Sequence, residues 1–282
     1  MPTTRSGTRD RSTSSPPPFA SSSSATTSPS PTPLNKRTNT AQDSSVKPNK
    51  RARTTAVPLD EAQQVTSLPS SSRLPLANAD VFYVPDFVNE DTARGWYEEM
   101  LALPDWYRPT LKVYGKEVTQ SRQIAAYATS PSITIKYSGH PVNMQYDIPP
   151  PLRQIWDQVE TKLGVQFNHV MANLYSDGQT YIGSHRDLKE NRVIATVSLG
   201  AARTFNLKHD HPPSSPSSPS SSSSSTPDKL LYAHSLPLAS GSLLVMQGDT
   251  QKHWKHEIPK EWGRKGKVEE GRISLTFRQV VK

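Results

Sequence analysis

The sequence predicts a mostly β fold, a sandwich or jelly roll with flanking helices, on three observations. From residue 165 onward, short apolar runs recur between Gly, Asp, Pro and Ser, as strands separated by turns do. Two upstream stretches instead space their apolar residues along one face of a helix. Residues 1–72 are crowded with Ser, Thr and Pro and hold few large apolar side chains. Such a segment cannot offset its chain entropy by burial, so disorder is expected there and a single folded domain over 73–282.

Order is expected to begin near Arg73-Leu74-Pro75-Leu76. The run 80–87 alternates like a strand and meets a turn at Pro85-Asp86. Asn89 and Asp91 offer an N-cap for a helix through Trp96, Met100 and Leu101, ended by Pro104. Leu152, Ile155, Trp156, Val159 and Leu163 form the stripe of a second helix, which Gly164 closes. Strands are then expected at 167–175, 193–199, 204–208, 229–235, 242–246 and 272–277. The nearly pure Ser/Pro stretch inside 209–228 reads as an expanded hairpin loop, since closure entropy rises only logarithmically with loop length.

The formal charge of +8 resembles a nucleic-acid signature until it is divided along the chain. Nine of the 33 Lys/Arg but only two of the 25 Asp/Glu lie in residues 1–57, so the basicity belongs to the tail. There, Lys36-Arg37 and Lys47, Lys50, Arg51 and Arg53 form two clusters about ten residues apart, spaced like a two-part nuclear import signal. A nuclear location is therefore expected. With no cysteine in the chain, disulfides and thiolate–metal sites are excluded, and any metal must take His, Asp or Glu. No stretch approaches the roughly 20 apolar residues of a membrane span, and no secretory h-region opens the chain, so a soluble intracellular protein without membrane contact is expected.

Chemistry concentrates near the C-terminal end. On a strand His185 and Asp187 would face the same way, with Arg186 turned aside. A third ligand could come from His256 or from His253, and two imidazoles with one carboxylate suit an open non-haem iron site. A structural zinc site is the rival, although such sites usually take four protein ligands. His209, His211 and His234 flank the Ser/Pro loop and are read as solvated. Arg272, Thr276 and Arg278 have even spacing and so share one strand face, opposite Ile273, Leu275 and Phe277. Two arginines on one face are expensive to bury without anions, and guanidinium pairs well with carboxylates, so an organic acid beside the metal is expected.

The set Asn173-Leu-Tyr175-Ser-Asp-Gly178, His185-Arg-Asp187, Val197-Ser-Leu-Gly200, Leu236–Gly241, His253-Trp-Lys-His256-Glu-Ile-Pro259 and Arg272…Arg278 resembles the AlkB family of iron(II)/2-oxoglutarate dioxygenases. The likeness covers about residues 76–282 and is greatest to the nuclear DNA-repair branch that includes the second and third human homologues. It implies a double-stranded β-helix core, Fe(II) held by His185, Asp187 and His256, and 2-oxoglutarate held by Asn173, Tyr175, Arg272, Thr276 and Arg278. Within that set it puts Arg272 beside the C1 end and Arg278 on the C5 carboxylate. The implied reaction consumes O2 and 2-oxoglutarate and releases an N-methyl group of a base as formaldehyde. The implied partner is alkylated DNA, or RNA as an alternative, handled by a monomer; a nucleic-acid-binding protein with a vestigial site is the reading from another class.

On the substrate side, Tyr114 with Gly115 and Lys116 resembles a hairpin whose aromatic tip fills the gap left by a flipped base. Arg122 and Tyr127 resemble a DNA-contacting segment, and Tyr137, in the run from Ile135 to Gly139, resembles a base-pocket wall. Family repair enzymes tend to carry an acidic residue two positions after the aspartate ligand. Here Lys189 stands there and Glu190 follows, so either Glu190 reaches in through a shifted turn or the pocket does not favour cationic bases.

Overall fold

The structure, a computed structural model, describes residues 63–113, 115–137, 140–212, 230–263, 266–267 and 270–281, with backbone alone for 112, 113, 137, 263, 266 and 267. Strand β1 (Asp80–Val84) leads into helix α1 (Glu90–Leu101). Asn89 caps α1, its side chain accepting a hydrogen bond from the Thr92 N–H. A hairpin follows, β2 (Thr110–Val113) and β3 (Lys116–Thr119), then β4 (Gln123–Ala128) and the short β5 (Lys136–Tyr137), β6 (His140–Pro141) and β7 (Met144–Gln145). Helix α2 (Pro150–Leu163) ends at Gly164, whose φ of 68° is the left-handed value that favours glycine in a C-cap.

After α2 come β8 (His169–Tyr175), β9 (Ile182–His185), β10 (Asn191–Gly200), β11 (Arg203–His209), β12 (Ala233–Leu238) and β13 (Leu243–Gln247). One turn of helix, α3 (Thr250–His253), runs directly into β14 (Trp254–Ile258). The small pair β15 (Trp262–Gly263) and β16 (Gly266–Lys267) precedes the last strand, β17 (Arg272–Val280). A seven-stranded sheet in the order β1-β13-β10-β17-β8-β4-β7 faces a four-stranded one in the order β12-β11-β14-β9.

The helices cover the outer face of the large sheet. Trp96 and Met100 of α1 and Leu152, Ile155, Trp156, Val159 and Leu163 of α2 share one core with Ile273, Leu275 and Phe277 of β17. The opposite face of that sheet turns toward the small sheet, and a second core of Tyr175, Ile194, Phe205, Leu207, Leu238 and Trp254 lies there. The expected jelly roll with helices against one sheet is what forms.

Three sequence expectations need correction. The domain does not wait for residue 73: Val65 and Leu68 are buried in the first core. Backbone N–H groups of Gln63 and Val65 donate to the side chains of Gln279 and Gln247, so glutamine amides do the pairing that a ladder would otherwise supply. The expected strand at 229–235 is instead β12, Ala233–Leu238, and it contains Pro237. Proline is tolerated because β12 is an edge strand, and the Pro237 carbonyl accepts a bond from the Tyr83 hydroxyl at 3.0 Å. His209 is not a solvated loop residue; it ends β11, is 5% exposed, and stacks on His253 at 5.6 Å. The basic clusters of the tail and nearly all of the Ser/Pro stretch lie outside the described residues.

Candidate active site

Strands β9 and β14 pair with His185 directly opposite His256, and their ring centroids are 4.4 Å apart. Asp187 completes the group, each residue offering a ligand atom within 4.8 Å of the others. Asp187 does not sit on a strand, contrary to the parity expectation, because β9 ends at His185. Its placement comes from its own N–H, which donates to the Gln251 side chain at 2.9 Å. His185 Nδ1 lies 2.9 Å from the Gly183 carbonyl, a bond that leaves Nε2 as the lone-pair nitrogen.

The electrostatics prepare all three groups to bind a cation. Burial lowers the pKa of His185, and it takes that of His256 to about 3 with help from the neighbouring His185. Both rings are therefore neutral at physiological pH, as metal ligation requires. Burial alone would raise the Asp187 pKa, but Arg278 and the two histidines outweigh it, so the carboxylate is held below its ordinary range. Arg278 Nη2 donates to both Asp187 oxygens, at 3.3 and 3.2 Å.

The triad opens on a cavity of about 670 Å³ between the sheets. Its large-sheet wall is built by strand alternation: Arg272, Ser274, Thr276 and Arg278 of β17 face it, with Asn173 and Tyr175 of β8 alongside. Away from the triad, Arg272 is 1% exposed and lies with its guanidinium 5.3 Å from the Tyr175 ring centroid. Arg272 Nη2 donates to Ser198, while Nε and Nη1 have no partner, and no acidic side chain forms an ion pair with it among the described residues. Burial accordingly pushes its pKa down to about 10. A buried guanidinium with two orphaned donors is costly by itself and fits a missing carboxylate. Along the cavity Arg278 stands against Asp187, whereas Arg272 lies away from it with unpartnered donors, the opposite order of the two arginines to the one expected.

A family model described as the 2OG-Fe(II) oxygenase superfamily matches residues 80–278. DNA oxidative demethylase ALKBH2 of Arabidopsis thaliana is 31% identical over 82% of this chain and 76% of its own length. The chain belongs to the AlkB family of 2OG-Fe(II) oxygenases. It is therefore a 2-oxoglutarate-dependent dioxygenase with Fe(II) as its metal. The human ALKBH2 protein is 35% identical over 61% of this chain and 61% of its own length. Bovine alkB homolog 3 is 29% identical over 74% of this chain and 69% of its own length.

Other expected AlkB residues fall in different places. Glu190 lines the cavity and Lys189 does not: a turn closed by the Asn191 N–H on the Leu188 carbonyl leaves Lys189 exposed at its tip. Arg122 is not an outer DNA contact but is 1% exposed, lines the cavity, and donates from Nε to Asn173 Oδ1 at 2.9 Å. Tyr127 does not line the cavity; it is fully buried in the helix-side core, with its hydroxyl on Asp105 at 2.7 Å. The β2–β3 hairpin exists, with Gly115 at φ 79° and Lys116 exposed, while Tyr114 lies outside the described residues, as does the side chain of Tyr137.

A further histidine belongs to the wall. His169 opens β8 two residues before Met171, on the cavity face, and both its ring nitrogens are buried without a partner. Its parity with Asn173 and Tyr175 on one strand was the signal that could have found it.

Proposed function

We propose that the protein oxidatively demethylates N-alkylated bases in DNA. The observation that carries this is the pairing, in one cavity, of a three-ligand metal group with an uncompensated buried arginine. Relatives named as DNA oxidative demethylases support the substrate class. In this reading His185, Asp187 and His256 hold Fe(II), Arg272 takes the remote carboxylate of 2-oxoglutarate beside Tyr175, and Thr276, Asn173 and Arg278 line its path. When bound, the iron and 2-oxoglutarate supply from O2 the oxidising power that removes the methyl group. The chain's own share is to fix those ligands, exclude bulk water from a cavity between two sheets, and admit a base turned out of its stack.

Glu190 is the group we assign to a cationic methylated base, since it lines the cavity. Glu190→Gln is expected to lower kcat/KM on 1-methyladenine oligomers by about tenfold, the scale of one charge-assisted contact, and to spare neutral 3-methylthymine. Lys189→Ala should stay within about twofold on both, as surface changes usually do. We further infer nuclear action, with the basic tail clusters as the import signal.

The deciding experiment incubates the full chain with iron, 2-oxoglutarate and methylated DNA and RNA oligomers, read by mass loss of a methyl group. DNA demethylation that disappears in His185→Ala is the expected result. Succinate release without loss of methyl from any DNA oligomer would overturn the substrate assignment.

A further inference from the structure

The placement of Asp187 cannot come from a strand ladder, because the last rung of β9 is His185 against His256. Three other bonds converge on this segment instead. The Asp187 N–H reaches Gln251, the Arg186 Nη1 donates to the Lys252 carbonyl at 3.0 Å, and the Arg186 Nη2 pairs with the Asp210 carboxylate. Asp210 is itself anchored, its N–H donating to the His253 carbonyl at 2.9 Å. Gln251, Lys252 and His253 all belong to α3, which continues without a break into the strand that carries His256. One short rigid turn therefore gathers the segments bearing all three metal-binding side chains.

We propose that Arg186, Asp210 and Gln251 form a clamp that positions the Asp187 carboxylate for iron, an inference that rests on the reading of His185, Asp187 and His256 as the metal ligands. Asp187 has a competing partner in Arg278, which already holds both of its oxygens. The Arg186–Asp210 pair is part-exposed, at 35% and 20% of the side chains, and Lys255 shares Asp210 at 3.5 Å. An ion pair so exposed contributes little to global stability. Its effect lies in where it sits: it ties down the residue between two ligands, so that Asp187 cannot follow Arg278 away from the metal.

The test is calorimetric titration of the metal-free full chain with Mn(II), a redox-inert stand-in for iron, without nucleic acid. Arg186→Gln and Asp210→Asn are each expected to weaken Mn(II) binding by about tenfold, at the lower end of what outer-shell changes do. The double variant should be no weaker than either single one, because the two act as one pair. Arg94→Gln, which removes the Arg94–Asp91 ion pair on α1, serves as the control and should stay within about twofold. Matched thermal midpoints separate loss of the clamp from loss of the fold. Unchanged Mn(II) affinity in both single variants, or losses that add in full, would overturn the clamp. Wild-type Mn(II) binding that survives His256→Ala would instead overturn the ligand assignment. Neither result touches the substrate class, which is read separately by methyl loss.

Discussion

Strand β17 and the segment 185–187 both deliver charged side chains to the same cavity, but by opposite means. On β17 each charged residue is fixed by two ladders at once. Arg272 stands opposite Gly200 and Tyr175, and Arg278 opposite Ile194 and His169. A slip of one residue would turn Ile273 and Phe277 into the cavity and both arginines into the helix-side core. The segment 185–187 has a ladder only at its first residue, and beyond it the side chains of Gln251 in α3 and of Asp210, one residue past the end of β11, take over. Charge on a strand is thus placed by periodicity, whereas charge just past a strand end is placed by contacts distant in sequence.

The largest effect that would sharpen this contrast is expected from Arg272→Met. It removes the orphaned guanidinium, so KM for 2-oxoglutarate should rise by about 100-fold, the scale of a lost charge-assisted pair. The same variant should leave the ligand-free protein as stable as the wild type or more so, since a buried cation without an anion is lost. Thermal melts with and without 2-oxoglutarate check both halves; lower stability in the ligand-free protein would mean that Arg272 serves the fold.

Acid provides a middle-sized test. His256 has its pKa depressed to about 3, chiefly by burial, and burial also lowers His169 and His185. For a histidine depressed in the folded state, the unfolded chain binds more protons as pH falls below 6.5. Stability should therefore decrease as pH falls from 6.5 toward about 3, with His256 contributing at most about 1.4 kcal/mol per pH unit and His169 and His185 acting in the same direction. Urea midpoints at pH 7 and pH 5 measure it, and His256→Asn should flatten the slope. A slope unchanged by that substitution would contradict the assignment.

The smallest effect is expected from His169→Phe. Replacing an unpartnered buried imidazole by an apolar ring of similar size should raise stability in the metal-free protein by about 1 kcal/mol, seen as a higher urea midpoint. A loss of stability would show that the ring has a partner.

Much of the fold was legible because it rests on periodicity. The stripe of α2, the Asn89 cap and the alternating faces of β17 could all be read directly from residue spacing. What escaped was decided by contacts distant in sequence. Nothing local announces that Gln63 and Val65 hook onto Gln279 and Gln247, more than 180 residues away. Tyr127 resembles a DNA contact by its place in a motif, yet it lies in the helix-side core with its hydroxyl on Asp105. The order of the two arginines along the cavity also needed three dimensions, because parity fixes which face they share and not which end lies near Asp187.

Pro237 has a consequence for the protein in a crowded solution. The N–H and carbonyl of one strand residue point to the same side, so a carbonyl committed to Tyr83 puts the proline nitrogen on the outer rim of β12 as well. At that point the rim has no donor, and its acceptor is already taken. A stray peptide strand arriving from a neighbouring molecule finds nothing there to zip onto, which guards this margin of the sheet against edge-to-edge aggregation.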